Sequence, residues 1–232
     1  MTDRIDRPGL PVHRTKAELV YEYLREQILS GALEPEARLT LAALSRQLGT
    51  SMMPVREALM RLEREGLVEV APYKDVRVAP LSITDITELF SVRAVLEGHA
   101  LRLAAGNEGT RLADHLEQVN ARFERARADE NYTEVNAANW EFHRFILDRA
   151  RNHHLRRLLE DVWAKCLRYR AGFRLIPGRA ESAFREHEAI IAAVRAGELD
   201  EMERICRRHI ETAGREMVAY LETAGFAAAD QA

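Results

Sequence analysis

Eight histidines are present, and three stand where coordination chemistry is possible. His143 lies in NWEFH, His187 in REHEAI and His209 in RRHI, each beside apolar residues at helical spacing. Asn139 precedes His143 by four residues, so one helix face carries both, about 40° apart. If the three helices line one interior, three imidazoles and an amide oxygen converge. That donor set suits zinc, nickel, copper or iron. A lone helical histidine is more often a surface residue or a hydrogen-bonded part of a core, and spacing alone leaves these readings open. His99, His115, His153 and His154 read as surface residues, and Trp140 and Trp163 as packing.

A three-histidine site with an open position is also how hydrolytic zinc centres are built, so a metal-dependent hydrolase is the alternative reading. Its base is missing from the pattern. Glu141 and Glu188 adjoin ligand positions, but helical geometry points each away from its neighbour. No G-x-S-x-G, H-E-x-x-H or phosphate loop occurs.

The elements that must position these residues are helical. The chain has 232 residues, enough for one large or two modest domains with their own cores. It is 47% hydrophobic and 31% charged, the balance of a soluble globular protein. Ala, Leu, Arg and Glu dominate, which favours helix. No apolar run approaches the roughly 18 residues of a membrane span. MTDRIDRPGL lacks an apolar core and does not read as a signal peptide. Cys166 and Cys206 are far apart and outside any C-x-x-C pattern, so they read as reduced thiols of a cytoplasmic protein.

Residues 1–14, with Pro8, Gly9 and Pro11, read as a flexible arm. Thr15 with Glu18 forms a capping box for a first helix that ends at Gly31, with Leu19, Tyr23, Ile28 and Leu29 as its candidate buried side. Residues 40–66 read as two short helices around a tight turn. Thr40 and Ser51 cap them, Pro54 sits in the second helix's first turn, and Gly49 and Gly66 end them. This is a helix-turn-helix, whose second helix enters the major groove N-terminal end first. Val68 and Val70, then Val76 and Val78, flank a polar tip and predict a two-stranded wing. The winged unit spans 15–79, and 80–82 is a linker.

Candidate DNA-contacting residues are Arg46, Ser51, Met52, Met53, Arg56, Arg61 and Lys74. Net charge argues mildly against nucleic acid. It is −3 overall, and residues 1–80 hold 12 basic and 12 acidic side chains, so any positive face is local.

Residues 83–223 read as helix throughout, at roughly 82–105, 109–129, 132–151, 153–173, 180–196 and 199–223, with 224–232 as a tail. Asp200 with Glu203 is the expected cap of the last. Loops this short predict an antiparallel all-α bundle, making the protein mainly α.

Two stretches carry a family resemblance. SMMPVREALMRLEREGLVEV with VAPLS resembles the DNA-binding domain of the GntR family of bacterial transcription regulators, over about residues 15–81. Met52 and Met53 stand where members usually carry Arg and then Thr. NWEFH, REHEAI and RRHI resemble the metal-binding signature of the all-helical FCD effector domain, over about residues 83–222. The resemblance implies a homodimeric repressor bound to an inverted-repeat, double-stranded DNA operator. It implies a divalent metal, zinc or nickel first, held by Asn139, His143, His187 and His209. It further implies a small carboxylate effector. Arg93, in SVRAVLEGHA, matches an arginine of that domain and can fork a carboxylate or pair with Glu97.

Overall fold

The computed structural model describes residues 14–71, 75–169 and 172–224. Helix α1 (Lys16–Leu29) opens on Thr15, whose hydroxyl accepts from the Glu18 amide while the Glu18 carboxylate accepts from the Thr15 amide. It buries Val20, Tyr21, Leu24 and Ile28 against the helix-turn-helix. Leu19 and Tyr23, expected inside, are 50% and 41% exposed. The apolar residues of α1 fit two overlapping helical stripes, and packing on α3 selects the one through Val20, Leu24 and Ile28.

Helix α2 (Leu41–Gln47) is capped by Thr40, which accepts from the Ala43 amide, and Gly49 makes the turn at φ 60°. Helix α3 (Met52–Arg64) follows. Ser51 occupies its N-cap position, but its side chain makes no capping hydrogen bond. The wing is larger than expected. Strands β1 (Arg38–Leu39), β2 (Val68–Ala71) and β3 (Asp75–Val78) form an antiparallel sheet in the order β1-β3-β2, with Val68 opposite Val78 and Val70 opposite Val76. A two-residue strand is too short to leave an alternating pattern, so β1 was invisible in the sequence.

The second unit is built on α4 (Ile83–Glu108), α5 (Thr110–Ala128), α6 (Tyr132–Arg149), α7 (His153–Cys166), a 3₁₀ turn (Leu167–Tyr169), α8 (Gly172–Leu175), α9 (Arg179–Ala196) and α10 (Leu199–Thr223). Ser82 caps α4 by accepting from the Asp85 amide. The expected break at Gly106-Asn107 does not occur. The Asn107 amide donates to the carbonyl of Arg149, which holds the last turn of α4 in place, and the helix stops at Gly109 with φ 57°. The last cap also differs. Glu198 is the N-cap of α10, while Asp200 lies inside the helix and pairs with Arg102 at 2.6 Å.

Helices α4 and α10 lie unusually close. A Cβ on Gly98 would stand 2.7 Å from Arg207 Cγ, and one on Gly214 would stand 2.8 Å from Phe90 Cβ. Around this pair, Leu101, Leu116, Phe142, Leu159, Trp163 and Met202 form a core that is almost fully buried. Each such side chain contributes about 1.5–3 kcal/mol relative to exposure.

The helix expected over 153–173 ends at Cys166 because the chain tightens to reach the first unit. Leu167 packs in the winged-helix core with Leu24 and Leu62. Arg168 pairs with Asp85, and Tyr169 Oη reaches Ser82. Both cysteines are buried and unpaired. Among the described residues, no helix is long and apolar enough to cross a membrane.

Candidate metal centre and nucleic-acid interface

Helices α6, α9 and α10 bring His143, His187 and His209 together, at 4%, 1% and 3% exposure. One ring nitrogen from each lies within 4.8 Å of the others. Every Nδ1 faces an oxygen from a neighbouring element. His143 Nδ1 is 2.7 Å from Glu97 Oε2 on α4, His187 Nδ1 is 3.1 Å from Asn120 Oδ1 on α5, and His209 Nδ1 is 2.6 Å from Glu186 Oε2 on α9. The His143 contact is close but bent, so neither atom has a well-aligned hydrogen bond. Asn120 Nδ2 donates to the Phe184 carbonyl, which leaves its Oδ1 to accept from His187.

Oxygens at Nδ1 put the ring proton there and turn the lone pair of Nε2 inward. His143 Nε2 and His209 Nε2 then face each other at 3.3 Å, and His187 Nε2 is buried without a partner. Asn139 Oδ1, one turn before His143, is likewise buried and unpartnered. Lone pairs so placed repel unless a cation or proton lies between them. For metal–nitrogen bonds of about 2.0–2.1 Å, a tetrahedral edge is about 3.3 Å, which the His143–His209 pair matches, with the third imidazole nitrogen within 4.8 Å. Burial first, then the neighbouring imidazoles, holds the pKa values of His187 and His209 well below the ordinary 6.5, so both rings are neutral donors at pH 7.

A cavity of about 100 Å³ opens beside the cluster, with Arg93, Asn139, Trp140, Trp163, Ile176 and Met217 among its walls. Two arginines border it, with different freedom. Arg179 is 4% exposed and spent, donating to Glu216 at 2.9 Å and to Glu186 at 2.7 Å. Arg93 donates through Nε to Glu97 at 2.8 Å, and Trp163 Nε1 donates to the same oxygen at 2.7 Å. Burial raises the pKa of Glu97, but Arg93 and His143 outweigh it and hold the carboxyl well below its usual range. Of the two sequence readings of Arg93, the pairing with Glu97 is the one observed, and the side chain also lines the cavity.

Sequence reasoning missed Asn120, Glu186 and Arg179, and treated Glu97 only as a salt-bridge partner. Trp140 and Trp163, read as packing, form cavity wall, their rings tilted at 4.7 Å. His99, His153 and His154 are exposed, and His115 is half-buried, stacked on Phe145 at 3.6 Å.

The other candidates line the helix-turn-helix. Arg46, Ser51, Met52, Met53 and Arg56 are all exposed there. Arg61 lies over the Tyr21 ring at 3.6 Å and faces Glu65 at 3.6 Å, so it packs on its own domain. Lys74 lies outside the described residues.

A winged helix-turn-helix ahead of an all-helical domain with a buried histidine cluster defines a class: transcription regulators that bind DNA with one unit and carry a helical second unit. Residues 16–78 match the family model described as bacterial regulatory proteins, gntR family, and residues 88–212 match the FCD domain. The chain belongs to the GntR family, in its FCD branch. It is 32% identical to a probable D-xylose utilization operon transcriptional repressor of Paenarthrobacter nicotinovorans, over 84% of this chain and 86% of the relative. It is 28% identical to the HTH-type transcriptional repressor GlaR of Escherichia coli, over 83% and 91%. The solved structure of E. coli McbR/YncC superposes with a TM-score of 0.68 at 25% identity, over 92% of this chain and 100% of that one.

Proposed function

We propose that the protein is a metal-dependent, ligand-responsive repressor released from an inverted-repeat operator by a small carboxylate. The observation that carries this reading is the set of three inward Nε2 atoms, each backed by an oxygen at Nδ1. Zinc or nickel held by His143, His187, His209 and Asn139 would supply a Lewis-acidic anchor for a carboxylate oxygen.

The protein's own residues do the rest. Asn139 contributes a neutral oxygen, so the loaded site keeps a positive charge that an anion can balance. Arg93 borders the cavity with Nε on Glu97 and Cys166 also beside it, and its guanidinium would fork a carboxylate. Arg179 is already held by two carboxylates, so a single acid group is provided for. Phe90, Trp140, Ile176 and Met217 exclude water from the ligand's remainder.

Release of DNA requires that the ligand favour one placement of the two units. Leu167 and Tyr169 line the cavity and also meet the winged unit and the cap of α4, which supports a mechanical link. Homodimerisation is supported by Val92 and Val95 on α4 and Leu158 on neighbouring α7, which are 47%, 48% and 56% exposed. A DNA target supports a cytoplasmic location, and the repressors among its relatives favour repression over activation. The hydrolase reading lacks a base, since Glu141 pairs with Arg122 and Glu188 is exposed.

The test is metal analysis of the purified full-length protein, followed by operator titration with and without small carboxylic acids. Less than about a tenth of an equivalent, with none gained on refolding with zinc or nickel, would sink the metal. Operator affinity indifferent to every acid would sink the release.

A further inference from the structure

The helix that meets DNA in this family carries an apolar stripe on its outer side. Met52, Met53 and Met60 on α3 are 55%, 60% and 48% exposed. Steps of three and four put Met53, Arg56 and Met60 on a single face, with Met52 one turn before Arg56. The opposite side of α3 holds Val55, Ala58, Leu59 and Leu62 in the domain core, so core packing does not account for the methionines.

Position and charge point to what covers them. Met52 and Met53 are the first two residues of α3, the end that a helix-turn-helix directs at base edges. Arg46 on α2 and Arg56 on α3 are exposed nearby and suit the phosphates on either side of a groove. No cation precedes Arg56 on α3, so the leading turn has nothing with which to grip a guanine edge. The apolar feature that a base pair shows in the major groove is the C5 methyl of thymine. Thioether side chains are flexible and polarisable, and settle on such small apolar surfaces.

We propose that Met52 and Met53 are specificity-determining residues that read thymine methyl groups in each operator half-site. The operator of this protein therefore carries thymine where the leading turn of α3 enters the groove.

The operator sequence need not be known beforehand to test this. Duplexes bound by the full-length protein are recovered from a random-sequence pool, and the best is remade with deoxyuridine for thymine at one half-site position at a time. This exchange removes a methyl and leaves the hydrogen-bonding edges intact. At fixed salt, affinity is expected to fall roughly fourfold for each contacted thymine, the worth of one buried methyl. The Met52→Ala/Met53→Ala double variant keeps a strong helix former at both exposed positions, so it folds. It is expected to bind thymine and deoxyuridine duplexes equally and to keep the wild-type salt slope, because its phosphate contacts remain. Wild-type affinity unchanged by deoxyuridine at every position overturns the proposal. So does a selection that enriches no sequence, or half-sites without thymine.

Discussion

Tyr169 Oη holds both backbone groups of Ser82, accepting from its amide at 3.3 Å and reaching its carbonyl at 3.2 Å. Tyr169 is cavity wall, and Ser82 is the cap that follows the linker from the winged unit. Burial pushes the phenol up to about 12, so it remains a proton donor at any physiological pH. Tyr169→Phe should leave carboxylate binding to the DNA-free protein intact and shrink the effect of the ligand on operator affinity. With about 1 kcal/mol for such a bond, a coupling loss of roughly fivefold is expected. Operator titrations with and without ligand measure it, and an unchanged ratio would remove Tyr169 from the link.

His143→Ala combined with His187→Ala should take metal content from about one equivalent per chain to near zero. Helix content by circular dichroism should survive, because the winged unit has its own core and the bundle keeps Leu101, Leu116, Leu159 and Met202, although Phe142 loses the ring stacked on it. Retention of metal by the double variant would place it elsewhere.

Asn139→Asp adds a charged oxygen to the same site. Metal should bind more tightly in chelator competition, and the carboxylate effector more weakly, because the added charge offsets the anion's attraction. Weaker metal binding in this variant would show that Asn139 is not a ligand.

Arg56→Ala should cost operator affinity about 1–3 kcal/mol if the side chain meets a base, or lower the salt slope by about one if it meets a phosphate. Both are read from the same titration series at several salt concentrations, and no change in either excludes Arg56 from the interface.

Val95→Asp should convert a dimer to a monomer in sedimentation velocity while leaving the fold intact, since Val95 is 48% exposed. A variant that remains dimeric would move the interface away from α4.

Much of this was readable in residue order. The histidines announced themselves by type and by the apolar stripes around them, and the capping box at Thr15 and the turn at Gly49 are local signals with local causes. What escaped the reading depends on packing. Asn120 lies far along the chain from the His187 it meets, Arg179 meets Glu186 rather than an imidazole, and Glu186, though next to His187, faces His209 on another helix, a pairing that only packing decides. Glu97 was half visible, four residues after Arg93, but its second role needs α6 laid beside α4. Ser51 takes the N-cap position without the side-chain hydrogen bond, and Asp200 lies inside α10 with Glu198 as its cap, because a cap is decided by dihedral angles and a hydrogen bond rather than by residue type.

The glycines at 98 and 214 bear on which parts can move. They let α4 and α10 nest so closely that an added methyl on either would collide with its neighbour, so the two helices form one closely packed beam. That beam carries Arg93 and Glu97 on one side and His209 on the other. A ligand of the proposed kind would find no slack there, and its thrust would fall instead on the end of α7, where Leu167 turns into the core of the DNA-gripping unit.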